Sequence, residues 1–262
     1  MSKPGQAARL PSCRTIHTRA VQADDPYGVL ADRYATHNET GPYNALYERP
    51  ALLALLGAQH GRDVLDLGCG PGLVAEALLT AGAIVTAIDR SPAMLDVAAS
   101  RLGERATVLQ HNIEDPLPFP ENTFDTVTAG LVLHYLPDWR ALLAEVHRVL
   151  RPHGRLVASV HHPLTDQRVP TLEPAGHGPY LQSYPITERW ELDGVTAEVR
   201  FWHHPLGQMS SWIRGAGLAL TDVVEPRPVT AMATAFPDAY DRLSAQPAFL
   251  LLAARKPGSV EP

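Results

Sequence analysis

Two acids and a run of glycines are the residues whose type and spacing point most directly to chemistry. In "DVLDLGCGPGLVAEAL" (63–78), an apolar run carrying Asp66 gives way to glycines at 68, 70 and 72, then restarts as a helical pattern. Glycine at 68 and 70 lets a ligand lie against main chain that a Cβ would otherwise shield. Asp89 ends the next apolar run, "AIVTAID" (83–89), where a carboxylate can accept both hydroxyls of a ribose. A dinucleotide loop would read G-x-G-x-x-G, but Leu73 stands at its third glycine, and Asp66 brings negative charge to the place of a diphosphate. The pair suits a nucleoside without phosphates whose far end is cationic.

Such a site needs a frame, and the hydrophobic rhythm supplies one. Strand-like runs at 63–68, 83–89, 106–112, 124–133 and 155–162 alternate with helical patterns at 72–82, 91–103 and 138–154. Ser91 with Pro92 starts one of these helices and Asp138 another; Pro152 and Gly154 are expected to stop the second. This alternation predicts an α/β fold, a doubly wound and mostly parallel sheet. It breaks over 163–205, where Asp193-Gly194 between two strand-like runs predicts a hairpin that caps the site. A helix at 207–217 and strands at 218–226 and 248–256 close the pattern. The expected organisation is a tail (1–23), an N-terminal helical segment (24–61), a core (62–162 and 206–256), a substrate cap (163–205) and a short tail (257–262).

Bulk properties narrow the function. The 262 residues are 45% hydrophobic and 19% charged, as in ordinary globular chains, and the net charge of −6 disfavours nucleic acid or an anionic membrane as partner. No apolar run approaches the roughly 20 residues of a transmembrane helix. The two cysteines, Cys13 and Cys69, lie far apart, so the expectation is a reducing, cytoplasmic setting without a disulfide framework. Lys3, Arg9, Arg14 and Arg19 give the tail a basic character, but Pro4 and Pro11 break any amphipathic targeting helix.

"VLDLGCGPG", "VTAIDRSPAMLDVA", "VLQHNIEDPLPFPENTFDTV" and "AGLVLHYLPDWRALLAEVHRVLRPHGRLVASV" together resemble class I S-adenosylmethionine-dependent methyltransferases. The branch is the methyltransferase-11 group, which includes ubiquinone and menaquinone methyltransferases and many natural-product enzymes. The resemblance implies a Rossmann-like sheet of seven strands with an antiparallel last strand, and S-adenosylmethionine as cofactor. It places Asp66, Gly68 and Gly70 beside the methionine moiety and Asp89 on the ribose. Arg90 and Met94 flank the ribose and adenine, Asn112 and Ile113 meet the adenine, and Leu131 lies near the amino group. Asn112 is a departure, since the family usually has Asp there.

Methyl transfer is an in-line displacement in a site emptied of water, so acid/base help is needed only if the acceptor must lose a proton. His134, after the fourth strand, is the candidate base; a hydrogen-bonded wall is the equal alternative. The resemblance implies that the N-terminal segment (24–61) folds over the cofactor as a helical lid. Within it Tyr34 is expected nearest the methyl and Tyr27 next to it, beside the acceptor, although tyrosines at helical spacing also serve as packing. His162, Tyr184, Trp190 and His203 are assigned to an acceptor pocket suited to a planar, aromatic or polycyclic small molecule. The paired histidines lack the spacing of a zinc site, so no metal is expected. Rival readings are a nucleic-acid or protein methyltransferase and a non-catalytic S-adenosylmethionine-binding protein.

Overall fold

The computed structural model describes residues 31–258, so Tyr27, Cys13 and both outer tails lie outside the described residues. "DVLDL" folds as β1 (Asp63–Leu67), and its last four residues are buried because both faces of the strand are covered. β2 (Ile84–Asp89) and β3 (Thr107–Gln110) continue on one side of β1. On the other side lie β4 (Phe124–Gly130), β5 (Leu150–His161), β9 (Phe249–Arg255) and β8 (Ala219–Val224). The order β3-β2-β1-β4-β5-β9-β8 makes a seven-stranded sheet in which β9 alone runs against its neighbours β5 and β8. Chain direction across the sheet reverses between β1 and β4, which is where such sheets leave a crevice.

Two apolar layers cover the faces. On one, Leu52 and Leu56 of α2 (Arg49–Leu56), Ala75 and Leu78 of α3 (Leu73–Thr80) and Leu102 of α4 (Pro92–Leu102) pack with Val64 and Val157. On the other, Leu142 and Val146 of α5 (Arg140–Val149) and Trp212 and Ile213 of α7 (Leu206–Gly215) pack with Val127 and Leu156. Asp138 Oδ1 accepts the Arg140 N–H at 2.8 Å, but the cap position expected of Asp138 falls instead on Trp139, which makes no side-chain capping bond. The end of that helix differs from expectation. It stops at Val149, and β5 begins five residues before position 155, with Leu150 pairing with Phe124. His153, at φ 66°, bends the strand instead of terminating the helix.

Ahead of the sheet, α1 (Ala31–Thr40) leads through a π-helical turn, Asn44–Glu48, directly into α2. Arg101 of α4 ties this region down: it donates to Glu39 at 2.8 Å, to Glu76 at 3.0 Å and to the Pro71 carbonyl at 3.1 Å. The hairpin forms as β6 (Tyr184–Leu192) and β7 (Val195–His203), a two-stranded sheet of its own. Asp193 and Gly194, at φ 49° and 77°, both adopt the left-handed conformation of a type I′ turn. Tyr34 stacks on Trp190 with centroids 6.2 Å apart, joining α1 to the hairpin. Three short helices escaped the sequence reading: α6 (Pro163–Asp166), α8 (Thr230–Ala235) and α9 (Pro237–Ala245). Among the described residues, no helix is long and apolar enough to cross a membrane.

Trp139 braces the base of the hairpin. It is fully buried, its ring 5.6 Å from His204 and 5.5 Å from Trp212, and its indole N–H has no partner. His204 in turn meets the Leu136 carbonyl at 2.9 Å and the Ser183 hydroxyl at 2.8 Å. In urea denaturation, Trp139→Ala is expected to cost about 3–5 kcal/mol through the cavity it leaves. Trp139→Phe should cost less than about 2 kcal/mol, because the unsatisfied donor leaves with the lost volume.

Candidate functional site

A cavity of about 330 Å³ opens beyond the carboxyl ends of β1, β2 and β4. Asp66, Gly68, Gly70, Asp89, Arg90, Met94, Asn112, Ile113 and Leu131 all line it, as does Tyr34 from α1. The two glycines act differently. A Cβ on Gly68 would stand 2.4 Å from Val132 Cγ2, so this glycine lets the turn after β1 press against the chain leaving β4. A Cβ on Gly70 would meet nothing within 4 Å, so here bare main chain faces open space. Both have positive φ, 62° and 53°, which strains any other residue.

Asp89 is held by main chain. Its Oδ2 accepts the Gly70 N–H at 2.9 Å and its Oδ1 the Ser91 N–H at 2.9 Å, fixing the carboxylate against the glycine turn. Ser91 also caps α4 by accepting the Met94 N–H, which sets Met94 on the cavity wall. Asn112 Oδ1 accepts the Glu114 N–H at 3.2 Å, so the residue that departs from the family pattern shapes its own turn. Leu131 sits at φ 51°, a costly conformation for leucine, held by its N–H donating to the Ser159 carbonyl and hydroxyl, each at 3.0 Å.

Buried acid dominates the electrostatics. Asp66 is 2% exposed, and its Oδ2 has no hydrogen-bond partner. Burial first, then the charges of Asp89 and Glu48, push its pKa up to about 8. Glu48, at the end of the π-helical turn, lines the same cavity and is pushed up to about 7, mainly by burial. Its Oε1 accepts the Ser159 hydroxyl at 2.5 Å, which works in the opposite direction. Glu48 was not singled out in the sequence, although an acid inside the apolar helical pattern of "ALYERPALLALL" was a signal.

The residues assigned to catalysis and acceptor binding are placed differently. His134 does not line the cavity: it is 2% exposed and stacked on His161 with centroids 3.9 Å apart, neither ring nitrogen having a partner. Burial, then His161 and His204, hold its pKa well below the usual histidine range, so the ring is neutral and sealed away from an acceptor. Its neighbour Tyr135 faces the cavity instead, since consecutive residues of the short 3-10 turn Leu133–Tyr135 point apart.

His162 caps α6, approaches Glu225 at 3.1 Å and borders a separate surface hollow. His203 is fully buried, 2.9 Å from the Tyr180 carbonyl and 3.4 Å from Asp166. Tyr184 stacks on His203 and bonds Gln167, while Trp190 is absent from the cavity wall and stacks on Tyr34, which lines it. The hairpin residues that do line the cavity are Arg200 and Trp202. Strand parity is the reason: Val199, Phe201 and His203 face the interior, so their alternates face the cavity. Asn38, Asn44, Arg49, His111 and Leu136 also belong to the unforeseen part of the wall. Among the described residues, no group of three or more His, Cys, Asp or Glu is arranged to hold a metal ion.

Residues 65–158 match the family described as a methyltransferase domain. A demethylmenaquinone methyltransferase of Tropheryma whipplei is 36% identical over 109 residues, 42% of this chain; the chain spans only about half of that relative, 46% of its length. A ubiquinone biosynthesis O-methyltransferase of Xanthomonas euvesicatoria is 29% identical over 209 residues, 76% of this chain and 81% of that protein. The crystal structure of an S-adenosylmethionine-dependent methyltransferase from Mesorhizobium loti superposes with a TM-score of 0.65 and 31% identity, covering 79% of this chain and 96% of that one. With the reversed strand order, the glycine turn and the two strand-end acids lying over one cavity, these likenesses settle the family: the chain belongs to the S-adenosylmethionine-dependent methyltransferases.

Proposed function

We propose that the chain transfers the methyl group of S-adenosylmethionine to a planar, aromatic small molecule of the quinol or phenol class, rather than to a nucleic acid or protein. The observation that carries the reading is the buried, unpartnered Asp66 Oδ2 in a glycine-floored cavity whose other end holds Asp89. That cradle fits the donor. Asp89, oriented by two main-chain N–H groups, would take the ribose hydroxyls, and Gly70 would let the aminoacyl part lie on bare backbone. Met94 and Ile113 would sandwich the adenine, with Asn112 at its edge and Arg90 beside the ribose. When bound, S-adenosylmethionine supplies an electrophilic methyl on a sulfonium.

The chain's part is then positioning and exclusion of water. Tyr34 and Trp190, stacked between α1 and the hairpin, make the lid and cap. Tyr135, Leu136 and Trp202 would hold the acceptor's flat faces, and Arg200 stands where a ring-borne anion would be steadied. The relatives named for ubiquinone and demethylmenaquinone suggest the acceptor class, and a secondary-metabolite acceptor of similar shape fits the same wall. The unpaired, buried Cys69 suits a cytoplasmic setting.

Incubation with methyl-labelled donor and a panel of phenols and quinols tests the transfer; label appearing in no small molecule, while a protein or nucleic acid acquires it, overturns the acceptor class. On the acceptor found, Trp202→Ala should raise KM roughly tenfold while S-adenosylhomocysteine affinity holds. Asp66 gives a second prediction. Its carboxyl, at about 8 in the free protein, is protonated at neutral pH and must ionise to meet an ammonium group. Binding S-adenosylhomocysteine should therefore release close to one proton, and affinity should climb from about pH 6 to 7.5, by at most about tenfold per unit from this group. The sign reverses for the free protein's own stability. A carboxyl whose folded pKa is raised favours the fold at low pH and loses that contribution as pH rises through about 8, so Asp66→Asn should flatten the fall in melting temperature. Calorimetry in buffers of different ionisation heat, with thermal melts, reads both.

A further inference from the structure

Glu48 poses a problem that the sheet and its glycine turn do not solve. It is 4% exposed, and it reaches the cavity from the π-helical turn that precedes the sheet. Ser159, which anchors it, pairs across the sheet with Gly130 at the end of β4. A Cβ on Gly130 would lie 3.7 Å from Glu48 Oε1, so the carboxyl rests directly over the point where β4 gives way to Leu131. Asp66 stands one strand away, paired with Thr128 of the same β4.

Two carboxyls therefore converge on one buried wall, and the attraction of Arg49 for Glu48 is smaller than the penalty of burial. After burial, the charges of Asp89 and Glu48 raise the cost of ionising Asp66, and Glu48 is itself pushed up to about 7, mainly by burial. Arg49, next along the chain, directs its guanidinium to the Asn38 and Glu39 carbonyls, at 3.2 and 3.3 Å. Buried acids that lack a counter-charge destabilise a fold unless something from outside supplies it. Asp66 Oδ2, buried and without a partner, is a direct sign of a missing donor. The cavity's two carboxyls fit a group that is cationic, carries several N–H donors and is small enough to lie between strand ends, which describes an alkylammonium.

We infer that Glu48 is a second ligand for the donor's ammonium group, closing on it from the N-terminal segment opposite Asp66. This rests on the donor assignment made above and extends it, since it makes the segment before the sheet part of the cofactor site itself. Glu48 then does two things at once. Anchored by Ser159 it orients the aminoacyl end, and it couples the arrival of the donor to the seating of the π-helical turn and of α1, which carries Tyr34.

The test is a cycle with two ligands and two proteins, read by titration calorimetry. The ligands are S-adenosylhomocysteine and its deaminated analogue, which keeps the carboxylate and the nucleoside. On the wild-type protein the deaminated analogue should bind at least about tenfold more weakly. In Glu48→Gln, S-adenosylhomocysteine should lose about tenfold while the analogue stays within about twofold, so that the gap narrows. The analogue's retained affinity shows that the variant is folded. A gap that stays as wide in Glu48→Gln overturns the inference, as does an equal loss for both ligands. Equal affinity of wild-type protein for the two ligands overturns it without any variant. Should wild-type protein bind neither, the donor assignment falls, and this inference with it.

Discussion

Everything in this site depends on how closely two strands part. β1 and β4 are neighbours in the sheet, yet the chains leaving them go to opposite faces, one into α3 and the other toward α5. The crevice between them is usable only if the turn after β1 can touch the chain after β4 without filling the gap. Gly68 meets that condition, its missing Cβ occupied in effect by Val132. Gly72 then starts α3 in the left-handed conformation, and the Cys69 N–H donates to the Ile88 carbonyl at 3.0 Å, tying the turn to β2. With the turn pinned on both sides, Gly70 presents main chain to the cavity and also donates to Asp89. One backbone constraint thus sets the floor of the site and aims the acid at its far end.

The same crevice concentrates uncompensated charge. Asp66, Asp89 and Glu48 influence one another there, and the raised carboxyls of Asp66 and Glu48 show that the free fold tolerates them mainly by keeping them protonated. Stability is given up at the functional site and recovered around it, as in many binding proteins. Arg101 illustrates the recovery: its guanidinium joins Glu39, Glu76 and the Pro71 carbonyl, so α1, α3 and the glycine turn share one anchor. Arg151 plays a similar part at the opposite end of the sheet, where it bridges Asp63 and Asp125 at 2.8 Å each. Both arginines lie outside the cavity wall.

How much of this was legible in the sequence follows from where each signal lives. Strands β1 to β4 and the glycine turn were readable because buried parallel strands are continuous apolar runs and the turn needs a residue type that little else replaces. The cofactor-side residues came with them, since strand ends are set by the same run that makes the strand. The acceptor side was not readable in the same way. His203 and Trp202 are adjacent letters, and only the pairing of β7 with β6 decides which faces inward. His134 and Tyr135 pose the same ambiguity in a 3-10 turn, and burial resolved it against the residue with the more suggestive chemistry. Glu48 was hidden differently, because a π-helical turn shifts the helical phase that would have marked an inward-facing acid.

That asymmetry has a physical root in what each half of the cavity must do. The half of the wall proposed for the donor is built from main chain and two strand-end acids, so its chemistry is written into short contiguous motifs. The half proposed for the acceptor is assembled from α1, the turn after β4 and the hairpin, three segments far apart in the chain. Each contributes one face of a ring-sized slot, and none has meaning alone. A cluster of His134, His161, His203 and Asp166 sits behind that slot, where hydrogen bonding to the two nearby histidines outweighs burial and holds the Asp166 carboxyl below its usual range, and the rings stack the hairpin's inner side against β5 and α6. The histidines that looked like acceptor ligands are better understood as the mount for Arg200 and Trp202. They hold β7 at the height where its outward residues line the cavity, so changing the mount would move that wall without touching its surface.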